Sequence, residues 1–146
     1  MNVLYPAIFE YDRSEKRYTV HFPDFAEAIT EGESLEEAYF NAAEVLTLTL
    51  EGRVDEGIEI PRPSRCKAGA KLITPSARAQ AALLLRWAKG EHTTAEMARA
   101  LNTSWPAVAR LEDLHHWPNL RQLERAAASV GHRLVISLEP VSQEAK

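Results

Sequence analysis

The sequence predicts an α+β fold in two parts, a small sheet carrying one helix and then a set of short helices. Three observations carry this. Apolar residues alternate through most of the first thirty positions and then recur at helical spacing. A proline-marked stretch spans residues 60–70. The sign of the charge reverses across that stretch. A chain of 146 residues has room for one ordinary domain or two small ones.

Residues 4–11 place Tyr5, Ala7, Phe9 and Tyr11 on one side, the period-two mark of a strand. The polar run 12–16 is a turn, and Tyr18, Val20 and Phe22 repeat at period two, so a hairpin is expected. Pro23 and Asp24 break the second strand, and residues 26–30 fit a short third one. Ser34 followed by Glu37 has the form of a capping box. Behind it, Leu35, Ala38, Tyr39, Ala42, Val45, Leu46 and Thr49 share one helical face, and Gly52 is the expected helix stop. Residues 60–70 are the connector, and 71–74 are expected to return as a last strand. The boundary is placed near Thr74, which gives domains 1–74 and 75–146.

Thr74 and Pro75 are expected as cap and first residue of a helix running to Gly90. Thr93 and Glu96 form a second capping box, opening a short helix with Met97, Ala98 and Leu101 inward. Asn102 and Thr103 make a turn, because asparagine tolerates the left-handed conformation a tight turn needs. Ser104 caps the next helix, from Trp105 to about Asp113, with Val108 and Leu111 inward. Asn119 caps a last helix closed by Gly131. Leu134, Ile136 and Leu138 alternate, so 132–138 reads as a terminal strand.

Residues 1–61 hold four basic against fourteen acidic side chains, a net −10, whereas residues 62–135 hold twelve against five, a net +7. The last eleven residues bring the total back to −4. Halves of opposite sign suit partners of opposite sign, a basic protein for the first and a polyanion for the second.

Residues 93–112 supply what a DNA-reading helix-turn-helix needs. Ala98 is small where the helices cross, and Leu101, Val108 and Leu111 fill the space between them. The expected DNA contacts are Thr94, Ser104, Trp105, Pro106, Ala107, Ala109 and Arg110. Arg110 is the first choice for a base, since arginine reads guanine with two hydrogen bonds. Thr94 and the free N–H groups beside it suit a phosphate, and Arg99, Arg121 and Arg125 would add sequence-independent attraction. The run resembles the helix-turn-helix of Cro/repressor-type regulators. It departs at Asn102, where glycine is usual, at Ala95, where glutamine often contacts DNA, and at Pro106 in the first turn.

Enzymatic chemistry finds little support. The single cysteine, Cys66, excludes an intramolecular disulfide and a cysteine zinc cage. Adjacent His115 and His116 would point about 100° apart on a helix and would not easily chelate one ion. No phosphate loop or nucleophile elbow occurs. The acidic set Glu10, Asp12, Asp24, Glu27 and Glu31 could imitate a metal-dependent nuclease site, although strand-end carboxylates are usually solvated. No catalytic residue, cofactor or metal is expected, and neither is a membrane span or secretion signal, so the cytoplasm is the expected compartment.

The chain resembles the HicB antitoxin family in its longer, helix-turn-helix-containing form. The resemblance rests on the strand pair, the run from Asp24 to Ala38 and the connector Ile60 to Ser64. Residues 111–116 and 131–136 extend it over nearly the whole chain. It implies a partial RNase H-like first domain that has lost catalysis and binds a small basic HicA toxin, an RNA-cleaving protein. It also implies a Cro/repressor-like second domain that dimerises and represses the operon by binding operator DNA. Asp24, Glu27 and Glu31 are the toxin-contact candidates by charge and strand-end position. Pairing of 132–138 between protomers is a dimer device consistent with this, and assembly beyond a dimer stays open. Two alternatives remain, a stand-alone regulator whose first domain senses something other than a toxin, and a metal-dependent RNase H-like nuclease.

Overall fold

The computed structural model describes residues 1–141 and is a mixed α+β structure. It divides into two compact units, Val3–Ser76 and Ala77–Leu138.

In the first unit, β1 (Tyr5–Asp12), β2 (Arg17–Phe22), β3 (Phe25–Gly32) and β4 (Lys71–Ile73) form an antiparallel sheet in the order β3-β2-β1-β4. The β1–β2 turn closes on Asp12, whose carboxylate accepts from the Ser14 and Glu15 N–H groups and the Ser14 hydroxyl. Those bonds, the Ser14 hydroxyl first, hold its pKa below the usual range. Register places Phe9 opposite Val20 and Tyr11 opposite Tyr18. Alternation therefore sends Tyr5, Ala7, Val20 and Phe22 to one buried face.

Helix α1 (Leu35–Asp55) packs across β2, β3 and β4, burying Ala38, Ala42, Leu46 and Leu50. Fully burying a Phe or Leu side chain contributes about 1.5–3 kcal/mol. Tyr5, Phe22, Phe25, Leu46 and Leu50 therefore anchor the unit. The approach of α1 to β3 is close at Gly32, where a Cβ would sit 2.5 Å from the Ala38 nitrogen.

Two details at the ends of α1 differ from the sequence expectation. Ser34 does accept from the Glu37 N–H at 3.1 Å, but Glu37 reaches the Glu33 N–H instead of Ser34's own, so the box is half formed. The helix runs through Gly52 and ends at Gly57, φ +70. There Ile58 N donates to Arg53 O and Gly57 N to Val54 O, a Schellman closure. Gly52 sits inside the helix because nothing supplies such a closure one turn earlier.

The second unit holds α2 (Ala77–Lys89), α3 (Thr94–Ala100), α4 (Trp105–Leu111) and α5 (Leu120–Ser129). Helix α2 begins at Ala77 and not at Pro75, so Thr74 is not its cap. Ser76 N donates to the Thr47 hydroxyl at 2.8 Å, which holds the preceding residues outside the helix. Leu85, Met97, Ala98, Leu101, Val108, Leu111, Ala126 and Val130 form the core. Helix α5 ends as α1 does, with His132 N donating to Ala127 O and Gly131 N to Ala128 O around Gly131 at φ +76.

Residues 132–138, expected as a strand, lie in no sheet among the described residues. The alternation of Leu134, Ile136 and Leu138 is present, but a strand needs a hydrogen-bonding neighbour, and no strand among the described residues pairs with this segment.

Candidate functional site

Two arrangements stand out, the short helix pair α3–α4 and the acidic unit before it. Thr93 caps α3 with a complete box, its hydroxyl accepting from Glu96 N at 3.1 Å while Glu96 accepts from Thr93 N at 3.2 Å. At the far end Thr103 N donates to Ala98 O and Asn102 N to Arg99 O, around Asn102 at φ 50. This is the Schellman closure again, with asparagine in the left-handed position. It reverses the chain within three residues and delivers Ser104, whose hydroxyl accepts from Ala107 N at 3.3 Å and starts α4.

Helix α4 is divided by its own periodicity. Val108 and Leu111 point into the core, while Trp105, Pro106 and Arg110 are exposed and Ala107 and Ala109 half-buried. Trp105 is 59% exposed, a large apolar ring turned to solvent at the start of a helix. The Thr94 hydroxyl, half-buried, accepts from Lys89 Nζ at 2.8 Å. Arg125 also has an internal role. It donates to Leu101 O at 3.1 Å and sets a positive charge at the negative end of α3.

A further support was not legible in the sequence. Lys89 pairs with Glu112 at 3.0 Å, with both side chains mostly buried, and Arg86 Nε donates to Glu112 O at 2.8 Å. The end of α2 thereby fixes the exit of α4. Residues 23 positions apart carry no periodic signal that would pair them.

In the acidic unit, each of the three anticipated contact carboxylates has an internal partner. Asp24 accepts from Ser64 N and the Ser64 hydroxyl, both at 3.1 Å. Glu27 accepts two bonds from Arg53, at 2.8 and 2.9 Å, and these hold its pKa down to about 2. Glu31 pairs with Arg17. Arg53 also donates to Glu59 O at 3.1 Å and lies 4.9 Å over the Phe25 ring. Tyr5 donates to Pro61 O at 2.6 Å, and burial first, then Asp24, pushes its phenol up to about 12. Together Tyr5, Asp24 and Arg53 clasp the start of the connector, residues 59–64, to one end of the sheet. Sequence reasoning identified the connector but gave no hint of the clasp.

Among the described residues, no group of three or more His, Cys, Asp or Glu side chains is placed to hold a metal ion. No helix among them is long and apolar enough to cross a membrane.

The chain is thus an acidic sheet-and-helix unit followed in sequence by a unit of short helices. The chain belongs to the HicB-like antitoxin family of bacterial toxin–antitoxin systems, whose model matches residues 4–80. It is 34% identical to "Antitoxin HicB 2" of Photorhabdus laumondii over 134 residues, covering 91% of this chain and 94% of that one. It is 28% identical to "Antitoxin HicB 1" of the same organism over 138 residues, covering 94% and 88%. A solved "Toxin-Antitoxin complex from Streptococcus pneumoniae" shares 40% identity over 44% of this chain and 46% of its own, at a TM-score of 0.41. The relatives are named for a non-enzymatic role, and this chain is an antitoxin of that kind.

Proposed function

We propose that this antitoxin works through two surfaces of opposite charge. Its first unit, Val3–Ser76, carries fourteen acidic against eight basic side chains, a net −6, and masks a small basic HicA-type toxin that cleaves RNA. Its second unit represses the operon by placing α4, as the recognition helix of a Cro/repressor-like helix-turn-helix, in the major groove of operator DNA. The first unit is then a partial RNase H-like fold used for binding alone. The observation that carries the reading is the partition of charge between the two units of a chain in an antitoxin family.

The solvent side of α4 supports the second half. Arg110 is free to reach a guanine, Trp105 and Pro106 offer apolar contact to a thymine methyl or sugar carbons, and Ala107 and Ala109 let the helix approach closely. Ser104 positions that face. Thr94, with Lys89 at its hydroxyl, offers a basic corner to a phosphate. Arg99 and Arg121 are exposed and add attraction that falls with salt. A palindromic operator implies a homodimer through this unit.

Co-expression of the chain with any small basic reading frame found beside its gene, followed by an operator shift assay, tests both halves. Co-purification and a shifted band are the expected results. A shift without any captured basic protein would favour a stand-alone regulator. Arg110→Ala should weaken operator binding about 10- to 100-fold, corresponding to roughly 1–3 kcal/mol for a bidentate base contact. Unchanged affinity would remove Arg110 from the reading.

A further inference from the structure

The last residue of α2, Lys89, stands between the two ends of the α3–α4 pair. Its Nζ donates to the Thr94 hydroxyl at 2.8 Å, at the first residue of α3. The same ammonium lies 3.0 Å from a Glu112 carboxylate oxygen, at the residue that caps the end of α4. One ammonium therefore joins positions 94 and 112, which bracket the whole helix pair. The Lys89 and Glu112 side chains are 18% and 15% exposed, and their pairing leaves Lys89 little charge to offer outside. We propose that Lys89 is a positioning residue for DNA recognition, holding α4 in the roll that aims Arg110 at a base. This rests on the DNA reading above and specifies what orients its recognition helix.

Helix α4 needs such a tie because it is short. It spans Trp105–Leu111, and its buried residues are Val108 and Leu111. Apolar burial has no direction, so two such side chains leave the helix free to roll by small angles. Polar ties are directional. At the exit of α4 Glu112 is held twice, its carboxylate by Lys89 and its carbonyl by Arg86 Nε at 2.8 Å. Thr94 gives the tie a second anchor on the preceding helix. Arg110 is exposed and lies just before this anchor point, so a roll at Glu112 carries it along. With side chains reaching about 5–6 Å from the helix axis, a roll of about 10° moves a tip by about 1 Å. A binding group must be held to about 0.5 Å. Beyond that, the two hydrogen bonds of a guanine contact fail together.

The test measures binding of the full chain to fluorescent DNA from upstream of its own reading frame, by anisotropy. Lys89→Met alone would leave a buried carboxylate unpaired and endanger the fold. The working variant is therefore Lys89→Met combined with Glu112→Met, which removes one charge of each sign and replaces both with apolar chains of similar length. Circular dichroism should show it folded, and its affinity should fall about tenfold, the low end of losing one bidentate contact. In an Arg110→Ala background the same pair of changes should cost less than about threefold, because the contact it positions is already gone. Unchanged affinity in the folded variant overturns the proposal, as does an equal loss in both backgrounds. A fall of about one in the slope of log affinity against log salt would make Lys89 a phosphate ligand and overturns it too. A parent chain that does not bind this DNA overturns the DNA reading itself.

Discussion

The substitution Gly32→Ala should destabilise the sheet-and-helix unit far more than its single methyl suggests. The added Cβ would lie 2.5 Å from Ala38 N, 2.8 Å from Ala38 Cα and 3.0 Å from the Glu37 carbonyl carbon. All three are backbone atoms of the first turns of α1, so no side chain can swing aside. Relief requires that end of the helix to retreat by about 1 Å from β3, against close packing. Overpacking of this kind costs about 1–3 kcal/mol. The same movement strains the Ser34 cap, whose loss costs about 1 kcal/mol. A total near 3 kcal/mol is a large part of the stability of a small domain.

The assay is urea unfolding followed by far-ultraviolet circular dichroism. All three tryptophans lie in the second unit, so their emission follows that unit separately. Gly52→Ala is the matched control. It sits inside α1 with nothing within 4 Å of its would-be Cβ, so alanine should stabilise by about 0.5–1 kcal/mol. A Gly32→Ala cost under about 0.5 kcal/mol, or a destabilising Gly52→Ala, would refute the reasoning.

Two further outcomes are open to measurement in the same way. The folded-state pKa of Glu27, about 2, lies below its ordinary 4.5, so its stabilisation is present above about pH 4.5 and is lost as the pH falls toward 2. Its side chain is 48% exposed, which limits the effect to about 1 kcal/mol. Glu27→Gln should remove that pH dependence, read from urea melts at pH 7 and pH 3. Asn102→Gly should raise the stability of the helical unit by up to about 1 kcal/mol, since φ 50 suits glycine better. Asn102→Val should lower it, and thermal melts followed by tryptophan emission would show both.

What the sequence reveals here is local. Alternation placed β1 and β2, whereas β3 was placed over 26–30 by the break at Pro23 and Asp24 and runs from Phe25 to Gly32. Ser34, Thr93, Ser104 and Asn119 mark helix starts because a cap is satisfied within three residues of itself. Helix ends were harder to place. Gly52 and Gly57 are equally good stops in the sequence, and the difference lies in which one lets the next residue bond back into the helix. Thr74 fails as a cap because Thr47, 29 residues before Ser76, takes the Ser76 amide. The site follows the same division. The outward set on α4 was legible from its period, whereas the Lys89–Glu112 pair and the role of Arg125 at Leu101 depend on packing between helices. For 132–138 the alternation is in the sequence, but no strand pairs with it among the described residues.

The internal bonds of Asp24, Glu27 and Glu31 alter how the acidic unit can attract a basic partner. A carboxylate already held by Arg53 or Arg17 contributes little net field, and breaking such a pair offsets much of what a new contact supplies. The unit nonetheless carries six more negative than positive charges, fourteen against eight. The excess therefore resides in carboxylates outside those pairs, such as Glu10, Glu36 and Glu44, which are all exposed. Attraction to a basic protein would act through this summed field, which steers encounter and weakens with salt. The three paired residues do different work. They hold β3, α1 and the connector in one arrangement, so the surface presented to a partner is already formed before it arrives.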